Sequence, residues 1–278
     1  MLSYRHSFHA GNFADVLKHI VQVEILEHLC KKDKPFDYID THAGAGLYNL
    51  KSDHAQKLGE YANGIGNLAA EKFPELSSYF AAIDACNPSH KLNFYPGSPL
   101  IATHFLRRQD NAWLYELHPK DFELLEKNTA KFPRVKTACQ NGYAGLLSKL
   151  PPVSRRGLVL IDPSYEVKAE YDDVFSTVEK AYKKFATGTF AIWYPVVDRK
   201  RIDRLEQRFR NSGIKDIQRF ELGLEQDTDA RGMTSSGMIV INPPWGLHDK
   251  MSALLPKLAL ALGEAGKAVF KCDLIAGE

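Results

Sequence analysis

A run of apolar residues that stops abruptly at a polar turn stands out in the middle of this chain. Leu158-Val159-Leu160-Ile161 contains no polar position, which predicts a strand buried on both faces, as in the centre of a parallel sheet. Asp162-Pro163-Ser164-Tyr165 follows at the carboxyl end of that strand, where open α/β sheets bind their ligands. We therefore expect Asp162 and Tyr165 to face a crevice. The competing interpretation is an ordinary strand end in which Asp and Pro are turn residues.

Short apolar runs alternate with amphipathic segments along most of the chain, and this alternation predicts an α/β fold. Predicted helices begin near residues 12, 121, 171 and 199, and the predicted strands cover 36–40, 112–117, 135–142, 158–161, 189–194, 220–224 and 236–241. Strands that alternate with helices pair in parallel, whereas the last two strands follow one another and predict an antiparallel pair. The expected result is a mostly parallel, seven-stranded sheet, for which we assume the strand order 3-2-1-4-5-7-6.

A long stretch separates the first predicted strand from the second. Between Leu47 and Tyr95 the pattern is amphipathic and helical, with breaks at Gly64, Gly66, Pro74 and Pro88. We interpret residues 47–98 as a helical insertion between strands one and two of a single domain that spans 1–278.

The residues that follow the first three strands are candidates for a nucleotide site. Thr41-His42-Ala43-Gly44-Ala45-Gly46 provides glycines that let the backbone approach a ligand, but Asn49 replaces the third glycine of a dinucleotide fingerprint. This loop resembles the cofactor loop of S-adenosylmethionine-dependent methyltransferases more closely. Glu116 ends strand two and is a candidate for binding ribose hydroxyls, with an ion-paired surface Glu as the alternative. Asn141-Gly142 ends strand three, either to reach an adenine edge or simply to form a turn.

The acid-Pro-x-aromatic turn suits methylation of an exocyclic amine. That reaction needs acceptors for the amine N–H groups and a flat surface for the ring, which Asp162, the Pro163 carbonyl and Tyr165 can provide. A second turn of this kind, Asn242-Pro243-Pro244-Trp245, matches the amine-methylation consensus better. We nevertheless assign the chemistry to Asp162, because strand four lies beside the cofactor loop whereas Asn242 ends a late antiparallel strand.

Composition and charge restrict the class of protein. The 278 residues carry a formal charge of only +2, so nucleic-acid binding must rest on local clusters, of which Arg155-Arg156 and the segment Arg199–Arg210 are the densest. Such clusters are also common as solvated surfaces. The four cysteines are far apart and form no CxxC pair, which argues against zinc and a disulfide framework and favours a reducing cytoplasm. No signal peptide or membrane-spanning segment is expected.

Several motifs together are similar to one family. They are Tyr4-Arg5-His6-Ser7-Phe8-His9-Ala10-Gly11-Asn12, Asp40-Thr41-His42-Ala43-Gly44-Ala45-Gly46, Tyr95-Pro96-Gly97-Ser98-Pro99, Ile161-Asp162-Pro163 and Trp193-Tyr194-Pro195. This combination resembles the bacterial large-subunit (23S) ribosomal RNA adenine-N6 methyltransferases of the J type, over essentially the whole chain. The resemblance implies a Rossmann-like class I methyltransferase fold with S-adenosylmethionine as donor.

The resemblance also implies a role for individual residues. Lys18, His19 and His42 would hold the amino-acid end of the cofactor with Ser98 close by, the loop of Gly44 and Gly46 would lie against it, Glu116 would bind its ribose, and Asn141-Gly142 its adenine. Asp162, which would also contact the cofactor, would be the catalytic acceptor with Pro163 and Tyr165, and Tyr4 and His6 of the N-terminal arm would contact substrate. Two positions depart from the family pattern: Ser164 replaces a Pro, and Asn141 replaces an Asp.

By the same resemblance we expect a cytoplasmic monomer that acts on one adenine of 23S ribosomal RNA, in protein-free form, without a metal or a membrane. Two other interpretations remain open from the residues. One is a methyltransferase for another amine, such as guanine N2 or a protein glutamine, and the other is a non-catalytic RNA-binding relative.

Overall fold

Strands and helices alternate along most of the chain in the computed structural model, which describes residues 5–227, 232–263 and 266–277. In chain order the strands are β1 (Asp37–Asp40), β2 (Leu47–Asn49), β3 (Phe94–Pro96), β4 (Asn111–Tyr115), β5 (Val135–Ala138), β6 (Gly157–Ile161), β7 (Thr189–Val196), β8 (Ile217–Gly223), β9 (Ser235–Ile241) and β10 (Val269–Ala276). The helices are α1 (Phe13–Cys30), α2 (Asp53–Leu58), α3 (Glu60–Asn63), α4 (Ser77–Asp84), α5 (Ser98–Phe105), α6 (Pro119–Thr129), α7 (Gly142–Lys149), α8 (Glu170–Lys184), α9 (Arg199–Arg210) and α10 (Leu247–Leu262).

Within the described part of the chain, eight strands form the main sheet, in the order β10-β8-β9-β7-β6-β1-β4-β5. Neighbouring strands from β7 to β5 are parallel, whereas β9 runs antiparallel to both β7 and β8. Counted along the chain without the insertion, the first seven of these strands lie in the order 3-2-1-4-5-7-6, as predicted. The Rossmann-like α/β fold is therefore confirmed, and the buried run that ends at Asp162 is β6, the fourth of them.

The predicted strand number was one too low, because β10 adds an eighth strand at the edge. It pairs antiparallel with β8 and is tied to it by the Arg219–Asp273 and Lys271–Glu221 ion pairs. Phe270 and Leu274 are exposed on it, and most of its other side chains are only half-buried. An edge strand of this kind has neither a continuous apolar run nor a clear alternation, so its sequence carries little signal.

Helices cover both faces of the sheet because its central strands bury both faces. Leu158 and Leu160 of β6 face the layer that contains α1, α5 and α10, whereas Val159 and Ile161 face the layer of α7, α8 and α9. All five residues of β6 are buried, as the unbroken apolar run predicted.

The segment between β1 and β4 is not helical throughout. Its helices α2, α3 and α4 are short, and its ends pair as an antiparallel hairpin in which Tyr48 lies opposite Tyr95. Three-residue strands are too short for a recognisable alternation. The paired residues are also far apart in the sequence: Asn49 and Phe94, which lie opposite one another, are separated by 45 positions. The hairpin brings the loop after β1 next to the turn before α5, where the Gly97 N–H donates to the Gly46 carbonyl over 2.8 Å.

Candidate active site

A cleft of about 980 Å³ opens at the carboxyl ends of the parallel strands. This is the side of an α/β sheet where ligands bind, since the loops after each strand meet there. Its lining contains most of the residues that the sequence analysis singled out: His6, Lys18, His19, His42, Gly44, Ser98, Glu116, Asn141, Gly142, Asp162, Pro163 and Tyr165. Gly46 does not line it, and Tyr4 lies outside the described residues.

Asp162 follows β6 and forms an ion pair with Lys18. The Lys18 Nζ lies 2.5 Å from Oδ2 of Asp162 and 2.8 Å from Oδ1 of Asp15, and the lysine side chain is only 4% exposed. Burial disfavours the charged ammonium, but the two carboxylates outweigh it and raise the pKa of Lys18. Lys18 is therefore a cation at neutral pH, and it is occupied by two acids of this chain, a geometry that the sequence did not suggest.

Tyr165 lines the cleft, but much of its surface is covered by other aromatic rings. Its ring centroid lies 4.4 Å from that of Tyr171 and 5.9 Å from that of Trp193, and its hydroxyl donates to the Trp193 carbonyl over 2.7 Å. The backbone of Tyr165 has a φ of 55°, a left-handed conformation that residues with a Cβ rarely adopt. The hydroxyl bond and the ring contacts hold the residue in this conformation, so the turn after β6 is fixed by its surroundings.

The loop after β1 is joined to the end of β4 through Glu116. The Gly44 N–H donates to Oε2 of Glu116 over 2.8 Å, and the His118 N–H donates to Oε1 over 2.7 Å. Burial raises the pKa of Glu116, and these two N–H groups partly oppose the rise. Gly44 has a φ of 59°, and a Cβ there would lie 2.2 Å from the Tyr48 hydroxyl oxygen, so the loop requires glycine at this position.

Asn141 and Gly142 begin α7 at the edge of the cleft. The Asn141 Oδ1 accepts a hydrogen bond from the Ala144 N–H over 3.1 Å, which makes Asn141 the N-cap of this helix. A Cβ on Gly142 would lie 1.9 Å from the Thr41 carbonyl oxygen, so glycine allows α7 to begin directly beside the loop after β1. The two roles considered for Asn141-Gly142 were contact with an adenine edge and formation of a turn. Both are compatible with the geometry, because the Asn141 side chain caps a helix and is also exposed at the cleft.

Two histidines in the cleft are neutral at physiological pH. Burial lowers the pKa of His42 to about 4 and holds that of His19 well below its usual value. The His19 Nδ1 is bonded to the Tyr95 hydroxyl at 2.7 Å, whereas its buried Nε2 has no hydrogen-bond partner among the described residues. A buried nitrogen without a partner carries a desolvation cost, which a polar ligand group in the cleft would remove.

Sequence reasoning did not assign a role to two buried acids, Asp40 behind the cleft and Asp15 in its lining. Asp40 ends β1 and accepts hydrogen bonds from the hydroxyls of Tyr38 and Ser98, both at 2.7 Å, and burial raises its pKa to about 6. Asp15, in the first turn of α1, contacts both Lys18 and His6. Asp15 lies three positions before Lys18 on the same helix, and this spacing was a signal for an ion pair that could have been used.

The N-terminal arm, defined here as residues 5–9, is docked against α2 in the segment between β1 and β4 and against α6. Phe8 stacks on His54 with ring centroids 4.1 Å apart, Ser7 bonds to the His54 Nδ1 at 2.8 Å, and Arg5 pairs with Asp121 at 3.0 Å. His6 faces the cleft and contacts Oδ2 of Asp15 at 2.8 Å. The arm therefore lies over one side of the cleft.

The second candidate turn, Asn242-Pro243-Pro244-Trp245, lies at the other end of the sheet. Ile241 pairs with Phe190 near the start of β7, whereas the end of β7 lies beside the end of β6 and the cleft. The Asn242 amide donates to the carbonyls of Ala186 and Gly188, at 2.8 and 2.7 Å. Asn242 stabilises a turn remote from the cleft, as the chain order predicted.

The two basic clusters also lie at different ends. Arg201 of α9 lines the cleft, but Arg155 and Arg156 precede β6 and so lie at the opposite end of that strand. Arg156 donates to the carbonyls of Leu29 and Lys34, at 2.5 and 2.9 Å, which fixes the end of α1 to the sheet. Arg155 and Arg156 therefore lie away from the cleft, and the prediction that this cluster contacts RNA stays a prediction.

The residues that the structure describes contain neither a metal-binding cluster nor a helix suited to cross a membrane. No group of three or more His, Cys, Asp or Glu side chains within 5–227, 232–263 and 266–277 is arranged to hold a metal ion. None of the helices in these ranges combines the length and apolar character needed to cross a membrane.

A mostly parallel sheet of this strand order, with a cleft at its carboxyl edge and an acid at the carboxyl end of each of the first, second and fourth strands, defines a Rossmann-like class I methyltransferase. Comparison with known proteins agrees and is more specific. Residues 33–273 match the family model of the ribosomal RNA large subunit methyltransferase RlmJ. The chain belongs to this family.

Individual relatives show how much of the chain is shared. The ribosomal RNA large subunit methyltransferase J of Escherichia coli is 53% identical over 96% of both chains, and that of Haemophilus influenzae is 49% identical over 100% of both. A crystal structure of a Legionella pneumophila protein is 36% identical, with a TM-score of 0.88 over 96% of this chain and 98% of that one. The likeness therefore includes the N-terminal arm as well as the sheet.

Proposed function

We propose that this protein transfers a methyl group from S-adenosylmethionine to the exocyclic N6 amine of an adenine in 23S ribosomal RNA. The observation that carries the proposal is the position of Asp162 and Pro163, which border the same cleft as the loop of Gly44 and the Glu116 carboxylate. The groups that accept hydrogen bonds from the target amine must lie next to the loop that binds the methyl donor, because the methyl group passes directly between the two bound molecules.

The residues around the cleft fit this cofactor. S-adenosylmethionine, when bound, supplies an electrophilic methyl group on a positively charged sulfur. Glu116 would accept hydrogen bonds from the ribose hydroxyls, and Asn141-Gly142 would contact the adenine. The Lys18 ammonium and the His19 Nε2, which has no hydrogen-bond partner among the described residues, would bind the amino-acid end together with His42 and Ser98. Two carboxylates, Asp15 and Asp162, face one lysine in the cleft, and this excess of negative charge favours a cationic sulfonium.

The turn after β6 would bind the target amine. Oδ1 of Asp162 and the Pro163 carbonyl would accept the N6 hydrogens, while Oδ2 stays paired with Lys18. These bonds favour the pyramidal amine whose lone pair attacks the methyl group in line, and no covalent enzyme intermediate is needed. Tyr165 would contact the base, which must leave its stack at a cost of a few kcal/mol.

The substrate side of the proposal includes the arm and the arginine helix. Tyr4 and His6 would contact the RNA from the N-terminal arm, and Arg201 at the mouth of the cleft would contact a phosphate. We also propose that the protein acts in the cytoplasm as a monomer. Protein-free 23S ribosomal RNA is the proposed substrate, because the target base has to be free to leave its stack and enter the cleft.

A methyl-transfer assay tests the proposal. Purified protein, labelled S-adenosylmethionine and 23S ribosomal RNA lacking the modification should give N6-methyladenosine, detected by mass spectrometry of nucleosides. Methylated guanine among these nucleosides would identify another base amine as the target, and label transferred to added protein instead of RNA would identify a protein glutamine. Saturable cofactor binding without transfer to any of them would make the protein a non-catalytic relative.

A further inference from the structure

Asp15 joins the N-terminal arm to the acceptor turn through a continuous series of contacts. Its side chain is 2% exposed and lies in the first turn of α1, whose N-cap is Asn12. Oδ2 accepts a hydrogen bond from the Gly11 N–H over 2.9 Å and lies 2.8 Å from the His6 Nε2. Oδ1 lies 2.8 Å from the Lys18 Nζ, which is itself 2.5 Å from Asp162.

We propose that Asp15 is a positioning residue for methyl transfer: it fixes the Lys18 ammonium, which in turn holds the Asp162 carboxylate in the orientation that accepts the target amine. This inference rests on the proposed function and assigns a role to a residue behind the reacting groups. Asp15 acts through Lys18, whose ammonium is paired with both Asp15 and Asp162, so its effect should appear mainly in the transfer step and much less in the affinity for cofactor.

The geometry explains why a carboxylate is needed at this position. Both oxygens of Asp15 accept hydrogen bonds, one from Gly11 and the other from Lys18. An asparagine would have to turn its NH2 group toward one of these donors, and it would lose that contact. In either orientation the amide carries no charge, so Lys18 would form an ion pair with Asp162 alone and could follow that side chain as it moves. A displacement of about 1 Å in a catalytic group can cost on the order of 10²-fold in rate.

The decisive variant is Asp15→Asn, measured by single-turnover transfer to 23S ribosomal RNA at saturating cofactor. We expect the transfer rate to fall by roughly 10- to 100-fold, with the dissociation constant for S-adenosylmethionine little changed. A wild-type transfer rate in the folded variant would overturn the proposal. So would a loss that disappears at saturating cofactor, because Asp15 would then serve cofactor binding.

The matched control is Asp110→Asn. Asp110 is fully buried, pairs with Arg107 at 2.8 Å and accepts a hydrogen bond from the Phe36 N–H at 3.0 Å, but it precedes β4 and so lies at the opposite end of the sheet from the cleft. This variant should lose stability and keep its transfer rate at temperatures where it is folded. An equal loss of transfer in both variants would show that general destabilisation explains the Asp15 effect.

A double-mutant cycle tests the route through Lys18 and covers the case in which Asp15→Asn does not fold. Lys18→Met leaves two carboxylates, Asp15 and Asp162, without their cation. The double variant Asp15→Asn/Lys18→Met leaves only Asp162 without it, so the double variant should be destabilised less by unpaired charge. If Asp15 acts through Lys18, the double variant should transfer no more slowly than Lys18→Met alone. A further loss in the double variant would overturn the proposal. Wild-type protein that binds cofactor but transfers nothing would instead contradict the proposed function itself.

Discussion

Asp162 and Asn242 begin turns of similar chemistry, and only their positions on the sheet separate them. Asp162 borders the cleft, whereas Asn242 donates to the Ala186 and Gly188 carbonyls at the other end. At the scale of single residues, similar side chains therefore line a cleft after β6 and stabilise a structural turn after β9.

Substitution of the two residues should therefore have opposite consequences. Asp162→Ala should reduce single-turnover methyl transfer by at least roughly 10²-fold, as for loss of one transition-state hydrogen-bond partner. Asn242→Ala should keep most of the activity and instead lower the melting temperature, because it leaves two carbonyls without their donor and places Ala at a φ of 50°. An inactive but stable Asn242→Ala beside an active Asp162→Ala would reverse the assignment.

Asp40 predicts a dependence of stability on pH. Its pKa is about 6 in the folded protein because of burial, above the ordinary 3.8 of the unfolded chain. Between these values the folded state binds more protons than the unfolded state, so the contribution of Asp40 to stability is present below about pH 4 and is lost as the pH rises through about 6.

The measurement is the free energy of unfolding of wild type and Asp40→Asn between pH 4 and pH 8. The advantage of wild type over the variant should shrink by on the order of 2–3 kcal/mol across this range. A difference that does not change with pH would mean that Asp40 keeps its ordinary pKa in the folded protein.

At the scale of elements, helix α9 presents cations whose surroundings differ along its length. Arg201 pairs with Asp198 at 3.0 Å and lines the cleft, whereas Arg208 pairs with Asp172 and lies 4.1 Å over the Phe175 ring. Arg204 between them is exposed. The first turn of α9 therefore borders the cleft and the last does not, so a phosphate backbone bound at the cleft should contact Arg201 more closely than Arg208.

Charge reversal of Arg201, Arg204 and Arg208 to Glu should weaken binding to ribosomal RNA and leave cofactor affinity unchanged, because removed phosphate contacts act on RNA alone. Arg201→Glu should account for more of the loss than Arg208→Glu. Arg155→Glu, a reversal of an exposed arginine at the opposite end of the sheet, is the control and should bind RNA as wild type does. RNA affinity that is unaffected in the triple variant would make α9 a solvated surface.

At the scale of the whole molecule, a net charge of +2 limits long-range attraction to RNA. Binding should depend on the few cations near the cleft, so the plot of log affinity against log salt concentration should have a slope of only about −2 to −4, at roughly 0.7–0.9 per phosphate contact. Filter binding of protein-free 23S ribosomal RNA across a salt series measures it. A slope near zero would show that contacts to phosphates contribute little.

The sequence by itself determined the elements whose pattern is local. The apolar run before Asp162 predicted a buried strand because a strand covered on both faces needs no polar position, and β6 is buried throughout. The order of strands and helices then predicted a parallel sheet, since parallel strands need a crossover between them. The same argument predicted that Asn242 would lie away from the cleft.

Only the tertiary structure decided the features that depend on residues far apart in the chain. Three such features are the hairpin of β2 and β3, the pairing of edge strand β10 with β8, and the ion pair between Lys18 and Asp162. In each of them, the sequence pattern of one segment gives no information about which other segment it contacts. The pairing also decided what each charged group does: Lys18 is shared between two acids, and Arg156 binds the end of α1. A local pattern records which face of a segment is buried, but the partner of a buried polar group is set by packing across the fold.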